Sequence, residues 1–411
     1  MTGHLFSWLA IGDRLSDLMS FRTGIVCSLW DLVDEGVDAV LDCVHGELGA
    51  GRVVLPLATG PVTQLRPRVS TGQRIFRTGG GIHFTAEPDR YEATRCKPLV
   101  ADWLHGRHPA DAVARGCRER GMELWVSLAT ADLGRMVAKH PEAAVKNVFG
   151  DGSQHRLCLL NADVAELLRV LTLEVAQRFE PDAIVLTGLM ILGLDWQAER
   201  LDGPPRFGVV GRLLAGLCFC ESCRQQGGKA DVDMESAARG AADYLSRELE
   251  GGPATDSSVG EWARSNPPAA DWLAFRVKSI LSWLTAVRAA TRCPVYIQME
   301  LDDRTTVAKL AGRVDLPTVE PRILNLSGSV DPPRAREQLA ECLTGCDVER
   351  TGLLLPAFDP TAPDGTRLVQ LLTAAAELGV PSVNLFQYGL LPHGRMQEVR
   401  QAIRFAGRSG N

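Results

Sequence analysis

Hydrophobic positions along this chain fall into two alternating kinds of run. The first kind is short, apolar and partly β-branched, the pattern of a buried strand. It occurs at 23–29 (TGIVCSL), 52–58 (RVVLPLA), 123–128 (ELWVSL), 183–186 (AIVL), 294–299 (PVYIQM), 352–357 (GLLLPA) and 382–387 (SVNLFQ), and a further strand is expected within 314–326. The second kind repeats apolar residues every three or four positions, as a helix with one buried face does. Residues 30–49 carry Leu32, Val33, Val37, Val40, Leu41, Val44 and Leu48. Residues 163–179 carry Val164, Leu167, Leu168, Leu171 and Val175, with Asn161 placed to cap them. Helices are also predicted at 109–120 with Gly121 as the stop signal, and at 271–291, 306–310, 332–342, 366–378 and 394–406. A short helix falls within 131–149, and Gly379 is the expected C-cap of 366–378.

Eight strands separated by helices predict an α/β chain, a closed (β/α)8 barrel rather than a doubly wound open sheet. The count reaches eight, and the last strand–helix unit ends the chain. One barrel domain, 1–411, is expected, with long excursions at 59–107 after strand 2 and at 188–268 after strand 4. The Gly/Ser/Pro-rich stretch 251–268 is expected to be mobile.

Composition narrows the classes. Lys plus Arg is 44 against 50 Asp plus Glu, a formal charge of −6, which argues against nucleic acid as partner. No run of eighteen apolar residues exists, so no membrane span is expected. Residues 1–19 lack a basic start and a long apolar stretch, and read as part of the mature chain. Eleven scattered cysteines in a chain without an evident leader fit reduced thiols in the cytoplasm. The Ala, Arg, Gly and Asp richness fits a GC-rich bacterial genome. Nothing in the pattern sets an oligomeric state.

In a barrel of this kind chemistry sits where strands end. The residues expected there are Trp30 and Asp31, Thr59, Thr130 and Asp132, Thr187, Asp195 and Trp196, Glu300, Asp302, Asp303 and Arg304, Glu320, Arg322 or Asn325, Asp359, and Gln387, Tyr388 and His393. Carboxylates and aromatics dominate, a lining suited to a polyhydroxylated small molecule. Two carboxyls whose environments separate their pKa values can divide into acid and base, or acid and nucleophile. Glu300 is the sharpest candidate for acid/base work, with Asp359 or Asp195 as the second carboxylate. Trp30, Thr187, Trp196, Arg322, Gln387 and Tyr388 are the expected substrate contacts. Asp31 reads equally as the N-cap of the first helix, and Asp359 before Pro360 as a turn residue.

Cys218-Phe219-Cys220-Glu221-Ser222-Cys223 is dense enough to hold a metal through thiolates. A fourth ligand has to come from elsewhere: Asp182, His155 or Cys158. Structural zinc and a packed, reduced cluster are both open, and a redox role is disfavoured because no thioredoxin-like βαβ pattern follows the C-x-x-C; no other cofactor is expected. None of the eight histidines forms a metal-hydrolase motif, and His83 and His155 lie on stretches able to reach the mouth. His108-Pro109 and His140-Pro141 read as helix entries. Gly79-Gly80-Gly81 reads as a turn, and Arg66, Arg68, Arg74 and Arg77 as a solvated basic stretch.

Several stretches in order resemble an uncharacterised glycoside-hydrolase-like TIM-barrel family: 24–36 (GIVCSLWDLVDEG), 81–98 (GIHFTAEPDRYEATRCKP), 140–161 (HPEAAVKNVFGDGSQHRLCLLN), 181–186 (PDAIVL) and 217–223 (LCFCESC). The resemblance implies the barrel and a carbohydrate-like or glycosylated ligand, and no particular reaction. In the resembling group a Glu tends to follow strand 4, where this chain has Thr187. Retaining glycosidases of the related clan also use a Glu at strand 7, where this chain has Asp359. A barrel repurposed for lyase, isomerase or tailoring chemistry, or for sugar binding without catalysis, is therefore kept as the alternative.

Overall fold

The computed structural model describes residues 21–69, 73–130, 132–189, 207–251, 258–300, 322–325, 334–344, 347–358 and 361–409. Eight parallel strands form its centre: β1 (Arg22–Val26), β2 (Arg52–Thr59), β6 (Glu123–Ala129), β9 (Ala183–Thr187), β10 (Val295–Glu300), β11 (Arg322–Asn325), β12 (Thr351–Pro356) and β13 (Ser382–Phe386). Each pairs with the next around the ring. β1 pairs with both β2 and β13, which closes the sheet into a barrel. The eight-stranded expectation therefore holds, and the open sheet is excluded.

Alternation along the strands explains why every one of them reads as apolar. One set, including Ile25, Val53, Leu55, Leu124, Val126, Ile184, Leu186, Ile297, Leu353 and Leu385, joins the large core under the helices. The other set, Val26, Val54, Trp125, Ala183, Val185 and Ile323, fills the barrel itself, with Tyr296, Leu354 and Phe386 packed against it. Trp125 and Tyr296 stack inside at 4.7 Å, and the Arg52 guanidinium lies 3.7 Å over Trp125. Arg52 also bonds Glu123 at 2.7 Å and Asn384 at 3.2 Å, closing the end where the strands begin.

The outer helices are α1 (Leu29–Glu35), α2 (Val37–Asp42), α3 (Pro109–Glu119), α4 (Gly134–Lys139), α5 (Ala162–Phe179), α6 (Val209–Gly216), α7 (Glu221–Lys229), α8 (Met234–Leu249), α9 (Val259–Ser265), α10 (Pro267–Ala290), α11 (Ala335–Leu343), α12 (Gly365–Glu377) and α13 (His393–Ser409). The helix predicted over 30–49 is broken: Gly36 adopts φ 94° between α1 and α2, and the chain continues as a π-turn over Cys43–Glu47. An unbroken apolar period does not reveal a break that glycine alone permits. Asn161 caps α5 as expected, its side chain accepting from the N–H groups of Asp163 and Val164. The stretch expected to be mobile carries α9 and the start of α10, and Ser258 and Glu261 form a reciprocal capping box there. The helix predicted at 306–310 lies outside the described residues.

Within the first excursion, β3 (Val62–Leu65) and β4 (Ile75–Thr78) form a hairpin, and β5 (Gly81–Ile82) adds antiparallel to β2. A second hairpin, β7 (Ala144–Lys146) with β8 (Gly152–Leu157), follows α4.

Candidate active site at the barrel mouth

β1 ends at Val26, sooner than its apolar run suggests, and α1 begins at Leu29. Ser28 is the N-cap, so the capping role expected of Asp31 is corrected: Asp31 lies in the first turn and is 1% exposed. The first excursion folds back over it. Gln64 of β3 donates to Asp31 at 3.1 and 3.4 Å and accepts from the Trp30 indole at 2.8 Å. Gln387, following β13, donates to Ser28 Oγ and to Gln64 at 3.4 Å. Gln64 thus joins strands 1 and 8 to the excursion. The fit is close at Gly389, where a Cβ would lie 1.9 Å from the Asp31 carboxylate and 2.3 Å from the Gln64 amide.

Burial raises the Asp31 carboxyl to about 7, against the Gln64 hydrogen bond and the charge of Arg66, which lower it. Arg66 lies 3.9 Å from Asp31 and bonds Asp34. Arg68 bonds Glu35 at 3.1 Å and the Tyr388 carbonyl at 2.7 Å. The reading of these two arginines as solvated is corrected: both are buried inside ion pairs, because the hairpin lays them against the acidic face of α1.

Tyr388 is 3% exposed. Its hydroxyl donates to Glu35 at 2.8 Å and Arg68 lies 4.1 Å over its ring, so it clamps the last strand's exit to α1 rather than offering a wall to a ligand. Trp30 is likewise covered: it stacks on Phe76 at 4.6 Å, with Trp103 edge-on at 6.1 Å and His83 at 5.6 Å. The faces this cluster leaves half-buried belong to Phe76 and Trp103. His83 accepts from the Trp103 indole at Nδ1 (3.2 Å), which leaves Nε2–H to donate to Thr59 at 2.9 Å. Burial pushes its pKa down to about 3, so it is a neutral imidazole at ordinary pH.

On the opposite side, Thr130 donates to the Thr187 carbonyl at 2.9 Å, and the Thr187 hydroxyl turns back to the Leu128 carbonyl at 3.4 Å. Glu300 is the last residue of β10 and pairs in register with Asn325, the last of β11. Arg322 opens β11 and pairs with Ile297 and Thr351. The strand therefore carries Asn325, not Arg322, to the mouth. Asp195, Trp196 and Asp359 lie outside the described residues. Phe76, Trp103 and Gln64 were not singled out from the sequence. Their only local signal is an aromatic or amide within a short alternating run, and their place depends on the hairpin folding back.

The cysteines converge where the segments that follow barrel strands 3 and 4 meet. Cys158 follows β8, Cys220 is the N-cap of α7 and Cys223 lies in its first turn. The sulfurs of Cys158, Cys218, Cys220 and Cys223 lie within 4.8 Å of one another, and all four residues are buried. Of the three candidates for a fourth ligand, Cys158 is the one that joins the cluster. The Asp182 carboxylate instead accepts from the Leu124 N–H at 2.8 Å. Arg276 of α10 donates to Cys223 at 3.3 Å and to Cys158 at 3.6 Å. Burial would lower its pKa, but the electrostatic pull of Cys158, Cys223 and Cys218 outweighs that and raises it.

The fold is a (β/α)8 barrel, and its distant structural likenesses are to glycoside hydrolase barrels. The glycoside hydrolase domain of PgaB (BpsB) from Bordetella bronchiseptica aligns with 93% of this chain and 98% of its own, at 14% identity and a TM-score of 0.55. The catalytic domain of β-amylase from Paenibacillus polymyxa aligns with 94% and 98% at 11% identity and a TM-score of 0.51. The β-galactosidase from Marinomonas ef1 aligns with 93% of this chain and 59% of its own, at 12% identity and a TM-score of 0.51. These likenesses show the fold. No protein-family model and no curated protein matches the chain.

Proposed function

We propose that this chain is a glycoside-hydrolase-like enzyme acting on a glycosylated or sugar-derived small molecule at the barrel mouth, by carboxylate acid/base chemistry. The observation that carries the proposal is the position of Glu300. It ends a barrel strand beside Asn325, two and four residues beyond Gln298 and Tyr296, and Tyr296 stacks inside the barrel. Position 300 thus stands at the strand end where such folds do chemistry. Glu300 is the acid/base in this reading, with Asp359 as second carboxylate and Asp195 as its alternative. The half-buried faces of Phe76 and Trp103 offer an apolar platform for a sugar ring.

A panel of 4-nitrophenyl glycosides tests the proposal. Glu300→Gln is expected to lower turnover of the accepted glycoside about 100-fold or more while leaving its binding within a few-fold. Unchanged turnover would remove Glu300 from the chemistry. A second reading, a barrel that binds sugars without hydrolysing them or does other chemistry, draws support from Thr187. That residue ends strand 4 with its hydroxyl engaged by Leu128, where the resembling group tends to carry a Glu. Binding of a glycoside with no turnover by the unaltered chain would favour it.

A further inference from the structure

We propose that Cys158, Cys218, Cys220 and Cys223 form a closed tetrathiolate site for one zinc ion, with Arg276 as its buried counter-cation. The proposal does not rest on the enzymatic reading. It starts from the donor set. Four sulfurs, all buried, lie within 4.8 Å of one another. A tetrahedral zinc with Zn–S bonds of about 2.3 Å needs sulfurs about 3.8 Å apart, so the ion fits with small adjustments. Cys158 and Cys223 already stand 3.5 Å apart. All four are free cysteines.

Charge supplies the second, independent argument. Arg276 is 5% exposed and directs one guanidinium nitrogen at two of the sulfurs, 3.3 Å from Cys223 and 3.6 Å from Cys158. A guanidinium buried against four neutral thiols would lack a counter-charge, at a cost of several kcal/mol. Four thiolates around a divalent ion carry a net charge of −2, which a buried arginine halves. Two backbone N–H groups, of Lys146 at 3.4 Å and Cys220 at 3.5 Å, point at Cys218 Sγ and spread what remains. These are the outer partners that a metal–thiolate centre requires.

Protein sulfurs supply the whole coordination shell, which makes the site structural rather than catalytic. Its place in the fold agrees. Cys158 leads from β8 to the capped start of α5, the other three cysteines belong to the entry of α7, and Arg276 comes from α10. The Phe219 N–H bonds the Lys146 carbonyl at 2.7 Å and the Trp272 indole bonds the Cys218 carbonyl at 3.1 Å. The ion would fasten the second excursion to the barrel, a function that the packing of small side chains fills poorly.

The test uses the full chain, purified without chelator and without a polyhistidine tag. Elemental analysis is expected to find one zinc per chain. Titration with a mercurial in the presence of a zinc-sensitive dye is expected to release that zinc as four thiols react. After refolding with Co2+, the chain is expected to show intense sulfur-to-cobalt charge-transfer bands and tetrahedral d–d bands. Zinc well below one per chain together with no cobalt–thiolate bands would overturn the proposal in favour of a packed thiol cluster. A disulfide among the four, seen by mass, would overturn it as well, and iron in place of zinc would overturn the choice of ion. Cysteine variants risk unfolding, so Arg276→Gln carries the second arm. Its zinc is expected to be lost to a chelator about tenfold faster with the circular dichroism unchanged. An unchanged rate of loss would remove Arg276 from the site.

Discussion

Burial of ionisable groups governs the mouth at the scale of single residues. Asp31 and His83 are both taken out of water, and their pKa values move in opposite directions for the same reason: burial disfavours the charged form. Asp31, raised from 3.8 to about 7, holds more protons in the folded chain than in the unfolded one between those values. Its contribution to stability therefore falls as pH rises through that window and is level above it, a drop of roughly 4 kcal/mol at full effect. Asp31→Asn is expected to remove this contribution, so that stability falls more steeply toward acid than in the unaltered chain, read from urea midpoints at several pH values from about 4 to 8. His83, lowered from 6.5 to about 3, does the reverse: the unfolded chain binds the extra proton, so stability falls as pH drops below 6.5. His83→Gln, which keeps a donor and an acceptor for Thr59 and Trp103, is expected to weaken the acid limb of the same profile. The two slopes oppose each other, so each variant exposes what the unaltered chain partly cancels. Neither shift was legible in the sequence. Asp31 reads there as a strand-end residue or a helix cap, because nothing near it in the chain announces that Gln64 will cover it.

At the scale of elements, the first excursion is held by side chains that meet elements far along the chain. Glu174, fully buried on α5, accepts from the Glu87 N–H at 2.8 Å and from the Tyr91 hydroxyl at 2.6 Å. Asp163 accepts from the Arg95 backbone and guanidinium, both at 2.8 Å. Glu174→Ala leaves the buried Tyr91 hydroxyl and the part-buried Glu87 N–H without this partner and is expected to cost about 2 kcal/mol in denaturant titrations. The same variant should be cleaved faster between residues 85 and 97 by limited proteolysis. If stability falls without faster cleavage there, Glu174 does not anchor the excursion. Asn161→Ala removes the cap of α5 and a 3.3 Å bond to Ser222, and is expected to cost 1 to 2 kcal/mol, ~1 being typical of a cap alone. That cap was legible in the sequence because capping is a local event: an Asn just before a periodic apolar run. The break at Gly36 was not, since either half of the run continues the same period.

At the scale of the whole molecule, closure of the barrel decides what else is possible. Gly24 sits where β1 meets β2 and β13, and a Cβ there would lie 2.3 Å from the Asn384 side chain and 2.9 Å from that of Arg52. Those two side chains fill the barrel's lower end with Trp125 and Tyr296. Gly24→Ala is therefore expected to destabilise the chain by about 3 kcal/mol, the upper part of the range for overpacking, measured as a shift of the urea midpoint with an unchanged slope. A midpoint within error of the unaltered chain would show that the lower layer yields.

The sequence by itself determined the barrel strands, most helices and the barrel. Each barrel strand is buried on both faces and each helix on one, and burial is written locally as apolar runs and periods. It also placed Glu300 at a strand end, which depends only on counting along one element. The tertiary structure alone decided that Asp31 is covered, that Tyr388 and Trp30 are occupied by protein partners, and that Phe76 and Trp103 pack around Trp30 and stay half-buried. It alone brought Cys158 to a cluster whose last member is 65 residues further on. These meetings follow from how excursions fold back on a closed ring, and spacing along the chain carries no trace of contacts made by closing it.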